Sequence, residues 1–328
     1  PAPAARGHPG RTMSTRDQRP VLCLAITPAP QRTLFFGALK PGEVNRARSV
    51  RVSPSGKGVN VAAVFARLGA QPRLVGFQGG PGGAQIEREV ATLGIDARWV
   101  VTAAPTRNCH TLIEVESGRV TELVEEATPP TESEWRQFIE LMHQALPGCG
   151  WLAISGALPP GAAPERLADF VRQAHAAGAS VCVDSQGEPF RIMLAERPAL
   201  VKINADELGV ICGYDVQAPA PRWKAIQGLR EQGAGSVLVT DGPGAAFLSG
   251  PGGNWTLTPP AIKALNPIGS GDAVTAGLLY GLQRGDTLLN AATFALACGT
   301  AHAHTEIPGL VDAAAAAALR NRVRVSPA

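Results

Sequence analysis

Residues 266–282 read NPIGSGDAVTAGLLYGL, and Gly269, Ser270, Gly271 and Asp272 stand where a loop turns into an apolar-faced helix. Glycines let backbone amides approach a ligand, and a helix N-terminus offers unpaired donors with partial positive charge, so the stretch suits a phosphate. A carboxylate at Asp272, beside that phosphate, can take a proton from an attacking hydroxyl. An ordinary helix cap uses the same residue type, because aspartate complements the dipole of a first turn.

A second glycine-rich stretch, SPSGKGVNVAAVFARLG, runs from 53 to 69. Gly58 follows Lys57 where a Walker A motif needs Ser or Thr, and the required upstream glycine is missing, so a P-loop nucleotide site is excluded. What remains is a glycine turn at Gly56, a cation at Lys57 and an amide at Asn60, all opening a helix and suited to a polar, anionic substrate. Asn204 and Glu207 form a third pair, three residues apart at the start of a helix after LVKI. That spacing lets both face one ligand, and it equally makes a capping box.

Elements that position these groups follow from the alternation of short apolar runs with helical patterns. VLCLAI (21–26), RLVGF (73–77), WLAIS (151–155), SVCVD (180–184), LVKI (200–203) and SVLVT (236–240) are separated by helical stretches such as 59–68 and 84–93. Such alternation means βαβ crossovers and a mostly parallel sheet covered on both faces, with ligands at the carboxyl ends of the strands. Two segments break the rhythm. CHTLIEVESGRVTELVE (109–125) alternates apolar and polar residues around Ser117-Gly118, and residues 33–52 read as short strands about a Pro-Gly turn. Together they predict a small β-sheet inserted from two places, serving as a lid, as a dimerisation flap, or as both. DAAAAAALR (312–320) reads as a C-terminal helix.

Composition narrows the class. The net charge is +3, but four Arg against one Asp fall in the first 20 residues, so the remainder is neutral and lacks the basic surface of a nucleic-acid binder. Residues 1–20, rich in Pro, Arg and Gly, read as a disordered tail, with Met13 a candidate natural start. No run of 18 apolar residues and no secretory signal pattern is present, which predicts a cytoplasmic protein without membrane spans. The six cysteines have no C-x-x-C spacing, so they read as reduced, mostly core thiols rather than a zinc site.

Over roughly residues 20–325 the chain resembles the ribokinase-like (PfkB) carbohydrate kinases, and within them the branch of 1-phosphofructokinases and tagatose-6-phosphate kinases. Gly56, Gly58, Asn60, Ala62, Gly69 and Gly79 match the N-terminal signature in register, with Ser55 where Gly or Ala is usual; Asn266 through Asp272 match the C-terminal one. GFQGGPGG (76–83), TRNCHTLIEV (106–115), TELVEEATPP (121–130), SGALPPG (155–161), KINADEL (202–208) and TDGPGAA (240–246) follow in the family's order.

The resemblance implies a three-layer α/β/α fold over 21–325 with a mostly parallel sheet, and a small β-sheet lid from about 31–54 and 106–126. It implies transfer of the γ-phosphoryl group of ATP to a sugar hydroxyl. The amides of Gly269, Ser270 and Gly271 would form the anion hole, and Asp272, kept ionised by the helix N-terminus, would be the base. Asn204 and Glu207 would hold Mg²⁺ through its water shell. Thr240, Gly242, Gly244, Cys298 and His302 match the parts that frame adenine. Gln31, Gly56, Lys57, Asn60, Arg107 and Arg46 fall around the acceptor sugar, and a homodimer through the lid is implied.

One departure concerns the acceptor. The branch commonly reads Asn-Pro-Ala-x-Asp after its first strand, and here TPAPQ places Thr27 and Gln31 at the ends of that motif. A carboxylate accepts from both hydroxyls of a diol, whereas an amide offers one acceptor and two donors. The expected acceptor is a ketohexose phosphate with an altered hydroxyl pattern. Rival readings are a catalytically silent sugar-phosphate or nucleotide sensor on the same fold, a kinase for a free sugar or nucleoside, and, more distantly, a dinucleotide oxidoreductase.

Overall fold

The computed structural model describes residues 19–328; the expected tail therefore lies outside the described residues apart from its last two positions. The strands are β1 (Val21–Ala25), β2 (Ala29–Phe36), β3 (Ser49–Ser55), β4 (Arg73–Gln78), β5 (Asp96–Val101), β6 (Cys109–Glu114) and β7 (Val120–Val124). They continue with β8 (Trp151–Ser155), β9 (Ser180–Asp184), β10 (Leu200–Asn204), β11 (Val237–Thr240), β12 (Ala246–Gly250), β13 (Gly253–Thr258) and β14 (Arg324–Pro327). The helices are α1 (Lys57–Arg67), α2 (Gly80–Thr92), α3 (Glu132–Ala145), α4 (Glu165–Ala176) and α5 (Gly187–Ala195). After them come α6 (Ala205–Cys212), α7 (Pro219–Glu231), α8 (Ser270–Gln283), α9 (Leu288–His302) and α10 (Ala313–Arg320).

Ten strands form one sheet in the order β14-β13-β12-β11-β10-β9-β8-β1-β4-β5. From β5 to β11 every pairing is parallel, while β11 through β14 pair antiparallel. The central strands VLCLA, WLAIS, SVCVD and LVKIN are buried nearly throughout, as strands covered on both faces must be. One hydrophobic core lies under α1, α2, α8, α9 and α10, and the other under α3 to α7. The layers match the sequence reading, but the antiparallel edge was not expected from it. β12 and β13 are short and lie beyond the last βαβ unit, and β14 follows the expected C-terminal helix, so no crossover pattern announced them.

Polar residues end the buried strands at one edge. Asp184 ends β9 opposite Ser155, and Asn204 ends β10 opposite Thr240. Helix α1 closes onto the same edge because Gly58 carries no side chain: a Cβ there would come 2.0 Å from the Leu24 carbonyl oxygen. The second sheet has the order β3-β2-β6-β7 and draws its strands from the two segments expected to supply it. Gln31, Thr33, Ser53 and Thr111 are buried on it, and the register puts Gln31 opposite Ser53 and Thr33 opposite Thr111. Arg51 of β3 meets Glu306 at 2.5 Å and so ties the small sheet to the segment after α9.

Candidate active site

The loop 266–269 delivers its glycine amides to the start of α8. Asn266 accepts from the Ile268 amide and donates to the Glu306 carbonyl, which fixes the entry to the turn. Gly269 is the N-cap at φ +91°, a left-handed conformation in which a side chain would be strained. Ser270, Gly271 and Asp272 then fill the first turn. The Ser270 amide, expected in the anion hole, donates instead to the Pro267 carbonyl at 3.0 Å, while the Gly271 and Asp272 amides keep no protein partner among the described residues.

Asp272 is buried, and its Oδ2 accepts from the Asn60 side-chain amide at 2.7 Å. Burial pushes its carboxyl up to about 6; the Asp184 charge adds to this, against the opposing Lys57 charge and the Asn60 hydrogen bond. The helix terminus therefore does not hold Asp272 at an ordinary carboxylate value, although it remains mostly ionised at neutral pH. A base poised near the working pH serves proton transfer well.

Around it lies a network of charges. Lys57 Nζ stands 3.3 Å from Asp184 Oδ1 and 3.8 Å from Glu207 Oε1. Lys202 Nζ, nearly buried, stands 3.0 Å from Asp184 Oδ2, which also accepts from the Thr275 hydroxyl at 3.1 Å. Burial works against the Asp184 charge, yet Lys202 and then Lys57 hold its carboxyl at about 2. Asp184, followed by Asp272 and Glu207, holds the Lys57 ammonium well above its usual range despite the opposing cost of burial. A Cβ on Gly271 would come 2.8 Å from Lys202 Nζ, so this glycine lets the cation lie directly against the anion-binding turn.

Asp184, Lys202 and Thr275 were not singled out from the sequence. The signal was present: a lysine within LVKIN and an aspartate closing SVCVD sit in buried strand runs, where charge must be paired.

Asn204 and Glu207 form a capping box. The Glu207 amide donates to Asn204 Oδ1 at 2.8 Å, and the Asn204 amide donates to Glu207 Oε2 at 3.0 Å. The second oxygen, Oε1, faces Lys57 outside the box.

The structure thus joins two glycine turns, a buried aspartate and two lysines, and comparison with known proteins gives the arrangement its context. The model for the pfkB family carbohydrate kinase matches residues 25–306. The chain belongs to the pfkB family of carbohydrate kinases. It is 28% identical to the 1-phosphofructokinase of Escherichia coli strain K12 over 94% of this chain and 99% of that protein. It is 29% identical to the 1-phosphofructokinase of Rhodobacter capsulatus over 84% of this chain and 88% of that protein. The structure of phosphofructokinase-2 from Escherichia coli in complex with substrates and products matches with a TM-score of 0.87 at 26% identity, over 93% of this chain and 99% of that one. The reaction class follows: transfer of a phosphoryl group to a sugar hydroxyl.

Other residues of this pfkB kinase are placed less uniformly. Gly56, at φ +103°, is the N-cap of α1 and sets Lys57 and Asn60 on the first turn. Gln31 is buried and donates its amide to Thr111 Oγ1 at 2.6 Å. Arg107 donates to the main-chain carbonyls of Glu125 and Thr27, which anchors its loop with two of its donors. Arg46 is exposed on the connection between β2 and β3 and forms no side-chain hydrogen bond or ion pair among the described residues.

Thr240 ends β11 beside Asn204, with Gly242 at φ +48° and Gly244 in the turn that follows. Two residues expected at the nucleotide end are buried. Cys298 is fully buried between α9 and α8, where a Cβ on Gly277 would come 2.8 Å from its sulfur, so it packs the core. His302 is fully buried behind Gly269, with Nδ1 3.2 Å from Ser270 Oγ. Burial, then the Arg67 charge, pushes its imidazole down to about 4, so it supports the glycine turn as a neutral ring.

Proposed function

We propose that this chain transfers the γ-phosphoryl group of ATP to a primary hydroxyl of a ketohexose phosphate. The observation that carries the reading is Asp272, a buried carboxylate raised to about 6 and set in the first turn beside the Gly269 and Gly271 amides. The hydroxyl of the acceptor gives its proton to Asp272 as it attacks. Amides of the turn, with Lys202 against Gly271, take up charge on the transferring oxygens, which is the main demand of a loose phosphoryl-transfer transition state. Lys57, fixed by Asp184, sets a positive charge beside the acceptor.

Glu207 Oε1, left outside the capping box, together with Asn204 suits a hydrated Mg²⁺ held through its own waters. When bound, that ion neutralises phosphate charge.

The relatives named 1-phosphofructokinase, at 28% and 29% identity, support a phosphorylated ketohexose, and the cationic Lys57 and Arg107 suit its phosphate. Gln31 in place of a carboxylate supports a hydroxyl pattern unlike that of fructose 1-phosphate. Strand alternation sends Val50, Val52 and Leu123 to the outward face of the small sheet, at 36%, 40% and 52% exposure. That apolar face supports a homodimer through the small sheet; sedimentation giving only monomer at micromolar concentration would remove this part of the reading.

The substrate test is ADP release over a panel of hexose phosphates and the matching free sugars. The expected result is turnover with at least one ketohexose phosphate at a kcat/KM roughly tenfold or more above that of its free sugar, as a desolvated phosphate contact gives. Equal rates with and without the phosphate would refute it.

A further inference from the structure

Asn60 lies in the first turn of α1, is 5% exposed, and reaches across 212 residues of chain to Asp272. Its Nδ2 donates to Asp272 Oδ2, while its own Oδ1 is buried without a partner among the described residues. No other hydrogen bond to the Asp272 carboxylate forms among those residues, so Oδ1 of Asp272 is left to accept. The sequence reading assigned Asn60 to the sugar. The geometry gives it a second duty.

We propose that Asn60 is a positioning residue for the base: its amide holds Asp272 Oδ2 and so turns the carboxylate to present Oδ1 to the attacking hydroxyl. The proposal rests on the reading of Asp272 as the base. Asn60 Oδ1 is turned towards Gly309, where a Cβ on that glycine would come 3.6 Å from it. α1 is held firmly enough for the purpose, since Gly58 seats it against the β1 backbone. Charged and titratable groups around Asp272 are Lys57 from α1, Asp184 from β9 and Lys202 from β10, with the neutral His302 of α9 behind Gly269. Of these elements, only α1 supplies a side-chain hydrogen bond to Asp272 among the described residues.

The test follows the ¹³C NMR titration of the Asp272 carboxyl and the pH dependence of kcat in wild type, Asn60→Ala and Asn60→Asp, with thermal unfolding as the check on folding. Asn60→Ala should raise the Asp272 midpoint by about one pH unit and carry the acid limb of kcat with it. Its kcat should fall roughly tenfold while the KM for ATP stays the same. Asn60→Asp, nearly equal in shape, should raise the midpoint further by adding a like charge, and it carries the test if the alanine variant does not fold. Midpoints unmoved in a folded variant, or a loss confined to the KM for ATP, would leave Asn60 a structural tie and overturn the proposal. A moved midpoint with kcat indifferent to pH would count against Asp272 as the base, which is the failure of the underlying reading.

Discussion

The two buried polar regions of this molecule are built on opposite principles. At the carboxyl ends of the main sheet, Asp272, Asp184, Lys57 and Lys202 are ionisable groups with assigned partners, two of them on Asp184 alone. On the small sheet, Gln31, Thr33, Ser53 and Thr111 are neutral; only Gln31 and Thr111 are joined, and the Thr33 and Ser53 hydroxyls have no side-chain partner among the described residues. A network of paired charges in a dry setting is costly to alter, because removing one member strands another. Neutral hydroxyls and amides can exchange partners at far less cost. On our reading, the first region fixes the chemistry of the family and the second adjusts which sugar is accepted.

Breaking the charged region should have the largest effect on the fold. Asp184→Asn leaves Lys202 nearly buried without its counter-ion, and we expect a loss of about 3–5 kcal/mol in denaturant unfolding at neutral pH. Because Asp184 is held at about 2, below its unfolded value, its contribution is complete above the ordinary carboxylate range and is lost as pH falls through about 2. The gap between wild type and variant should therefore narrow in acid; a constant gap would show that packing rather than charge sets it.

The neutral region should respond more mildly, and in specificity rather than stability. Gln31→Asp puts a carboxylate at the position where the resemblance to the branch implies one, and Thr111 can donate to it in place of accepting. We expect kcat/KM to shift towards fructose 1-phosphate by roughly tenfold, the size of one charge-assisted hydrogen bond, with unfolding little changed. An unmoved preference would place specificity outside the small sheet.

The sequence revealed the parallel sheet, the small sheet and the two glycine turns because each has a local signature in period or punctuation. Gly269 through Asp272 were legible because a turn, a helix start and a carboxylate follow one another directly. Asp184, Lys202 and Thr275 were not, because their meaning depends on three distant elements meeting: Thr275 reaches Asp184 across 91 residues and Lys57 reaches it across 127. The burial of Cys298 and His302 was not legible for the complementary reason. The motif match put them at the nucleotide end, and only packing shows that α9 turns Cys298 onto Gly277 and His302 onto the back of Gly269.

The pH dependence of kcat in the wild-type enzyme, at saturating ATP, Mg²⁺ and acceptor, tests the central claim most directly. Asp272 must be ionised to take the proton, so kcat should rise with pH along a single limb centred near 6 and level off above it. Asp272→Asn should lose that limb together with about 10²–10⁴-fold in rate. A wild-type profile flat from pH 5 to 8, or an Asp272→Asn variant that keeps both the limb and the rate, would contradict the account.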